Sequence, residues 1–390
     1  MDTLLNKLWR LNIICCAGIA ITTVYERPSI TSLLFYASFL IMAACLFLCT
    51  QKRLSQYSVN TIVLLILLVL AGLLSVLPGS LNFAYLKKFI IYITTLASFF
   101  VATKTRVSGR TVGVLLGSNL IVSLIYIIRS KAPGAYVSED LWLFFTNPNF
   151  AGMWLFMSVM LLAVTILFVK PLLYRLFLMG VTGYLIYLSF QTGARNIWFS
   201  IGYAAVLFLL CFIEKKCQFA KWQLFLVNLF PLLFAFAYMF AISNGWITEG
   251  ISDALASEGK SMTSRFTIWN DAFTYIVKYP VLGAYAVIGG GSGSFQLHNT
   301  HIDMWAAYGT VGLVLFLVYI FRIMKEVNDS CKTKSAMFAL AGFMCMTLMG
   351  TAEASLYSTG MGMYIFVSSF LLLGNYMNQR VNHENRIFVD

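Results

Sequence analysis

Residues 57–77 read YSVNTIVLLILLVLAGLLSVL, an unbroken run without a charged side chain. A helix rises 1.5 Å per residue, so about 20 apolar residues cross a hydrocarbon core of roughly 30 Å. This stretch is long enough on its own, and it lacks the 3.6-residue polar stripe that a soluble helix turns to water. Lys52 and Arg53 bound it on one side and Pro78-Gly79-Ser80 on the other.

The same texture repeats along the chain. The 390 residues are 60% hydrophobic and 11% charged, with a mean hydropathy of +0.81. Soluble domains need more charged surface than that to stay dissolved. The apolar blocks give about twelve spans, at 11–25, 30–49, 57–77, 81–102, 111–128, 150–169, 172–190, 197–213, 222–242, 302–321, 335–351 and 355–377. The expected fold is therefore all-α: a polytopic membrane protein forming a single integral membrane domain over residues 1–390. The first span also reads as the apolar part of a signal peptide. No small-x-small cleavage site leads from it into a soluble domain, and a second span follows at once, which favours a span.

Lys and Arg orient the bundle. Alternate connections carry Lys7/Arg10, Lys52/Arg53, Lys104/Arg106/Arg110, Lys170/Arg175, Lys215/Lys216/Lys221, Arg322/Lys325/Lys332/Lys334 and Arg380/Arg386. Arg129 and Lys131 are the main exception on the other side. The positive-inside bias then places both termini in the cytoplasm. The net charge of +12 is spread over short loops with no dense basic patch, so it signals topology and anionic lipid, not nucleic acid. The eight cysteines form no C-x-x-C pair and avoid the outer loops, which points to small buried hydrophobes and away from disulfides. With only three histidines and no clustered ligands, no metal site is expected.

One outer connection stands out by its length. Residues 243–301 form a large outer loop, and 130–149 a medium one; loops this long in a compact chain usually carry function. The large loop starts acidic (Glu249, Asp253, Glu258). It then places Phe266, Trp269, Phe273, Ile276 and Pro280 at helical spacing, with Arg265, Asp271 and Lys278 off that stripe. This predicts an amphipathic helix lying on the membrane surface or packed over the bundle. Gly289-Gly290-Gly291-Ser292-Gly293-Ser294 follows. With no strand before it and Ser in place of the third glycine, it reads as a hinge, not a phosphate loop.

Three polar positions at the outer side have the chemistry of a diphosphate site. Arg195 lies in the turn Thr192-Gly193-Ala194-Arg195-Asn196, Arg265 opens the amphipathic helix, and His298 precedes Asn299 at the entry to the tenth span. Arginine grips phosphate oxygens bidentately and stays charged, while histidine titrates near neutrality and serves as a base. Each also has a structural reading, as an interface anchor, an ion-pair partner or a helix-start hydrogen bonder. Lys87 and Lys88 sit within the fourth span, about 9 Å deep. Consecutive helical residues point about 100° apart, so one is expected to snorkel and the other to face the bundle.

These residues resemble the signature of the O-antigen ligase and O-antigen polymerase family: His298-Asn299, nine residues, Gly309, two residues, Gly312, with Thr192-Gly193-Ala194-Arg195 and Ser264-Arg265-Phe266-x-x-Trp269 upstream. Asn147-Pro148-Asn149 looks like a further element, and is also a good helix start in its own right. The resemblance covers roughly 140–325. Ligases often carry a Trp just after the second glycine; Leu313 and Val314 stand here, which tilts the reading towards a polymerase.

The resemblance implies the fold of polyprenyl-phosphate-dependent glycosyltransferases and a metal-independent, inverting transfer without a cofactor. The donor would be a glycan on undecaprenyl diphosphate at the outer face of the bacterial cytoplasmic membrane. The acceptor would be another glycan (as in O-antigen, capsule or exopolysaccharide polymerisation) or, for a ligase, lipid A-core. A flippase and a chain-length regulator of the same pathway are implied partners. His298 would act on the acceptor hydroxyl, with Arg195 and Arg265 on the diphosphate. Lys87, Lys88, Asn299 and His301 are secondary candidates, His301 lying one turn from His298. Two other classes fit a multispan chain: a lipid or polysaccharide transporter, and a non-catalytic scaffold. A transporter predicts half-to-half repeats and polar residues at the midplane, neither of which the sequence displays, and a scaffold needs no convergent Arg/Arg/His set.

Overall fold

The computed structural model is all-α and 81% helical, with one two-stranded ribbon among the described residues. It describes the chain except residues 52–53, 78–82, 138, 146, 168, 170, 247–262, 285–296, 352–362 and 388–390, and except the side chains of 83–85, 87, 195, 263–264 and 380–387. The glycine run 289–294 and the acidic positions Glu249, Asp253 and Glu258 therefore lie outside the described residues.

The helices are α1 (Asp2–Val24), α2 (Pro28–Thr50), α3 (Gln56–Leu74), α4 (Phe83–Lys104), α5 (Gly109–Arg129), α6 (Pro148–Ile166) and α7 (Leu172–Gln191). They continue with α8 (Arg195–Ile213), α9 (Lys221–Ser243), α10 (Thr263–Lys278), α11 (Thr300–Ser330), α12 (Lys334–Met349) and α13 (Met363–Ile387). The described part of each predicted span falls on one of these, the first residues of the twelfth (355–362) lying outside the described residues, and α10 is the predicted amphipathic helix. Between α5 and α6, β1 (Tyr136–Val137) pairs antiparallel with β2 (Asp140–Leu141). Among the described residues, nine helices are long and apolar enough to cross a membrane: α1, α2, α3, α5, α6, α7, α8, α9 and α11. α12 is apolar but only 16 residues long, and α4 opens with its lysine pair.

Burial sorts the helices. From Ala336 to Met349, α12 is buried on all sides, and α6 nearly so; a helix that is apolar all round belongs inside. The rim helices instead show apolar stripes outward. On α2, Leu33, Leu40 and Phe47 are 69%, 65% and 63% exposed, a surface suited to lipid chains and not to water. α1 begins nine residues before the predicted span, since Leu5 and Trp9 are fully buried and Trp9 Nε1 donates to Thr105 Oγ1 at 3.0 Å.

The basic connections gather at one end, as alternation requires. Asn6 Nδ2 donates to Arg106 O at 2.7 Å, Lys104 pairs with Glu326, and Lys334 Nζ donates to Cys211 O at 2.7 Å. At the opposite, distal end Arg129 lies between two rings, its guanidinium carbon 4.0 Å from the Phe144 centroid and 4.7 Å from that of Tyr25. Aromatic faces hold this exception to the charge bias.

The tenth span differs from the sequence reading. α11 is two arms, 300–308 and 310–330, joined at Gly309, whose φ of 68° and ψ of −175° break the helix. In a straight helix, residues 301 and 316 would lie about 22 Å apart. Here the His301 and Phe316 ring centroids are 5.6 Å apart, so the arms form a V with its apex at Gly309. The 280–284 segment takes up two of the amides and one of the carbonyls that the break frees. Thr310 N donates to Pro280 O at 2.8 Å, Val311 N to Val281 O at 3.3 Å, and Ala284 N to Ala306 O at 3.1 Å. Only glycine fits at the apex: a Cβ there would meet Val281 O at 2.2 Å and Gly283 N at 2.5 Å.

α10 packs over the bundle along the first arm. Trp269, Ala272 and Ile276 form a small second core with Ala235 and Tyr238 of α9 and with Leu297, Ile302 and Ala306. Phe273 meets the Trp305 ring at 5.7 Å, edge to face. Of the two placements its sequence allowed, the packed one is found, because its apolar stripe has aromatic partners in α9 and α11.

Candidate functional site

The site is built on the segment entering α11. Leu297 is fully buried, and its carbonyl accepts from Trp269 Nε1 at 2.6 Å. Asn299 caps the first arm: its Oδ1 accepts from His301 N at 2.9 Å and Ile302 N at 3.0 Å. Its Nδ2 donates to Pro231 O at 2.8 Å and Thr351 O at 3.1 Å. One buried amide thus uses its full hydrogen-bonding capacity to tie α11 to α9 and to the distal end of α12. Pro231 lies twelve residues short of Ser243, so Asn299 meets α9 about 18 Å along the axis from its end. The segment enters the bundle well below the distal rim.

Between these two anchors stands His298, at φ 52°. A side chain other than glycine in the left-handed region costs on the order of 1 kcal/mol and persists only where the surroundings impose it. The Trp269 bond on one flank and the Asn299 cap on the other supply that constraint. The imidazole is half-buried, within reach of a ligand.

His301, one turn on, is fully buried. Its Nε2 lies 2.7 Å from Asn228 O; a carbonyl only accepts, so Nε2 carries the proton. Pro231 gives no N–H to the preceding turn of α9, and His301 satisfies a carbonyl of that turn from a neighbouring helix, as membrane helices interrupted by proline require. Asn299 and His301 therefore face protein.

Arg265 stands on the helix that is bonded to the His298 segment. It precedes Trp269 by one turn of α10, about 6 Å along the axis, and Trp269 is bonded to the residue before His298. The guanidinium is half-buried, with Nη1 shielded from solvent. Arg195 is the first residue of α8, after a turn in which Gly193 takes φ 61°. A Cβ on Gly193 would meet Asp140 Oδ1 at 2.1 Å, so the ribbon carboxylate rests on this turn. The direction of the Arg195 side chain lies outside the described residues, as does that of Lys87. Lys88 is half-buried and lies one turn from Tyr92, whose ring stacks on Tyr308 with centroids 5.0 Å apart. Of the lysine pair, Lys88 shares the face turned to the first arm of α11.

Sequence reasoning missed several of these features. The nine-residue gap between Asn299 and Gly309 is the length of one short helix, a signal present in the motif itself. Nothing in the sequence pointed to Asp140 or to the anchoring of Leu297.

A comparison with family models matches residues 181–317 to the family described as O-antigen ligase. The match runs from α7 into the second arm of α11 and takes in Arg195, Arg265, His298, Gly309 and Gly312. No curated protein and no solved structure matches the chain. Over this segment the chain is similar to the O-antigen ligase family.

Proposed function

We propose that the chain polymerises lipid-linked repeat units of an envelope polysaccharide at the outer face of the bacterial cytoplasmic membrane, with both termini cytoplasmic. The observation that carries this reading is the Trp269–Leu297 hydrogen bond of 2.6 Å. It couples the helix of Arg265 to the strained peptide of His298, so that a cation and a base act on one substrate.

The donor is a glycan on undecaprenyl diphosphate and the acceptor is the terminal sugar of a second lipid-linked glycan. His298 takes the proton of the acceptor hydroxyl as its oxygen attacks the anomeric carbon. Attack comes from the face opposite the diphosphate, so the anomeric configuration inverts. The bond from anomeric carbon to phosphate oxygen breaks, and its electron pair leaves on the diphosphate. Arg265 and Arg195, with Lys88 as a third cation, stabilise the charge that accumulates there; preorganised cations at developing charge are worth several kcal/mol in such steps. No metal is required in this scheme, because guanidinium groups take the cation's place.

Complementation of a strain lacking this polymerase activity tests it. His298→Ala, Arg265→Ala and Arg195→Ala should each reach normal membrane levels and lose high-molecular-weight glycan, with turnover down about a hundredfold or more. Full activity of His298→Ala would overturn the base assignment. Glycan appearing on lipid A-core, with the lipid-linked chain left at one repeat, would assign a ligase instead.

A further inference from the structure

Asn196, the second residue of α8, is only 5% exposed, yet among the described residues neither its Nδ2 nor its Oδ1 has a hydrogen-bond partner. A buried amide with both ends unmet costs about 1–3 kcal/mol per group, so native structures rarely keep one without a use. Its surroundings add to the case. α8 starts without a side-chain cap, since Ala194 holds the N-cap position. No side chain caps the first amides of the helix, beside Arg195.

The direction follows from the helix. Asn196, Ser200, Leu207 and Cys211 are buried on one face of α8, while Trp198, Val206 and Leu209 are 61%, 58% and 58% exposed on the other. Tyr203, on the buried face, lies beside the Thr351 side chain, and Thr351 O accepts from Asn299. The face that carries Asn196 thus looks onto the wall where the His298 segment is anchored. Asn196 stands about 10 Å distal of Tyr203 on it.

A diphosphate would suit Nδ2 but would set anionic oxygens against Oδ1. A group that both donates and accepts satisfies the two ends together. We infer that Asn196 binds the sugar joined directly to the diphosphate, through adjacent ring hydroxyls or an acetamido group, and so selects the donor. This rests on the glycan-transfer reading and adds to it a residue that discriminates between sugars, where Arg195 recognises only phosphate.

The test compares two lipids on the full-length protein: the lipid-linked repeat unit that accumulates in cells lacking this chain, and bare undecaprenyl diphosphate. Wild type should bind the glycan-bearing lipid at least about tenfold more tightly, and Asn196→Leu should bring the two within about twofold while leaving the bare lipid unaffected. Asn196→Ser, too short to bridge the same group, should behave likewise and serves if the leucine variant does not fold. Arg195→Ala should weaken both lipids together. Equal wild-type affinities, or a preference that survives both substitutions, overturns the inference, as does a loss of bare-lipid binding in Asn196→Leu matching that of Arg195→Ala. If wild type binds neither lipid, the glycan-transfer reading itself fails; if it binds and transfers while the Asn196 variants are silent, only the assignment of Asn196 falls.

Discussion

Gly309→Ala is the substitution whose consequence the structure fixes most closely. At φ 68° and ψ −175° the apex lies where only glycine is at ease, and alanine there costs about 1–3 kcal/mol. Its Cβ would stand 2.2 Å from Val281 O and 2.4 Å from Val281 C. Backbone atoms cannot swing away as a side chain does, so the 280–284 segment must retreat by about 1 Å to reach ordinary contact. The bonds from Thr310 N to Pro280 O (2.8 Å) and from Val311 N to Val281 O (3.3 Å) then stretch beyond hydrogen-bond range. Two buried amides left unmet add about 1–3 kcal/mol each. The total, about 3–9 kcal/mol, falls on the α10–α11 junction and not on the bundle, so local opening is expected without global unfolding. Hydrogen exchange reads this directly. Amides in 279–284 and 300–311 should exchange at least about a hundredfold faster, by the tenfold per 1.4 kcal/mol rule, while those of α6 and α12 keep wild-type protection. Glycan transfer should fall with the junction. Gly180→Ala in α7, where a Cβ meets nothing within 4 Å, is the control and should be neutral or slightly stabilising. Wild-type exchange and activity in Gly309→Ala would refute the claim that close backbone approach dictates this glycine.

Other substitutions separate the roles of neighbouring residues. Trp269→Phe keeps the ring but loses the donor to Leu297 O, which should cost about 1–3 kcal/mol locally and reduce turnover with normal membrane levels; unchanged turnover would show that the bond does not hold His298 in place. His301→Leu leaves Asn228 O without its donor, so detergent-purified protein should melt several degrees lower while keeping part of its activity. His298→Ala should show the reverse, an unchanged melting temperature with activity lost. Gly193→Ala meets both a left-handed backbone and Asp140; it should impair transfer, and adding Asp140→Ala should restore part of the loss, measured as glycan formed per unit of membrane protein.

Much of the architecture was legible because the bilayer imposes a length rule that needs no partner. Residues 57–77 declare a span by themselves, and α3 duly runs from Gln56 to Leu74. The V of α11 was not legible as such, since 302–321 is apolar enough for one straight crossing and the break depends on a segment twenty-odd residues earlier. Gly309 was visible as a motif position, but its cause, the carbonyl of Val281 lying on it, belongs to tertiary structure. The arginines divide in the same way. Arg129 broke the charge bias and drew no partner from the sequence, yet the rings of Tyr25 and Phe144 enclose it. For Lys87 and Lys88, helical geometry required a choice between them that the sequence left open; the stacking of Tyr92 on Tyr308 puts Lys88 on the face turned to α11.

The placement of His298 follows from what a membrane permits. Irregular backbone at depth is tolerated only where protein satisfies its polar groups or where it lines a cavity. At 297–299 that demand is met by Trp269 on the Leu297 carbonyl and by the cap of Asn299. At 309 it is met by the 280–284 turn. Both breaks are thus closed by the connection that carries α10, the same element that carries Arg265. A straight tenth span would leave His298 at the rim, beyond the reach of this clamp. With the V, α10 and the first arm form a single packed unit that carries both Arg265 and the anchor of the His298 segment.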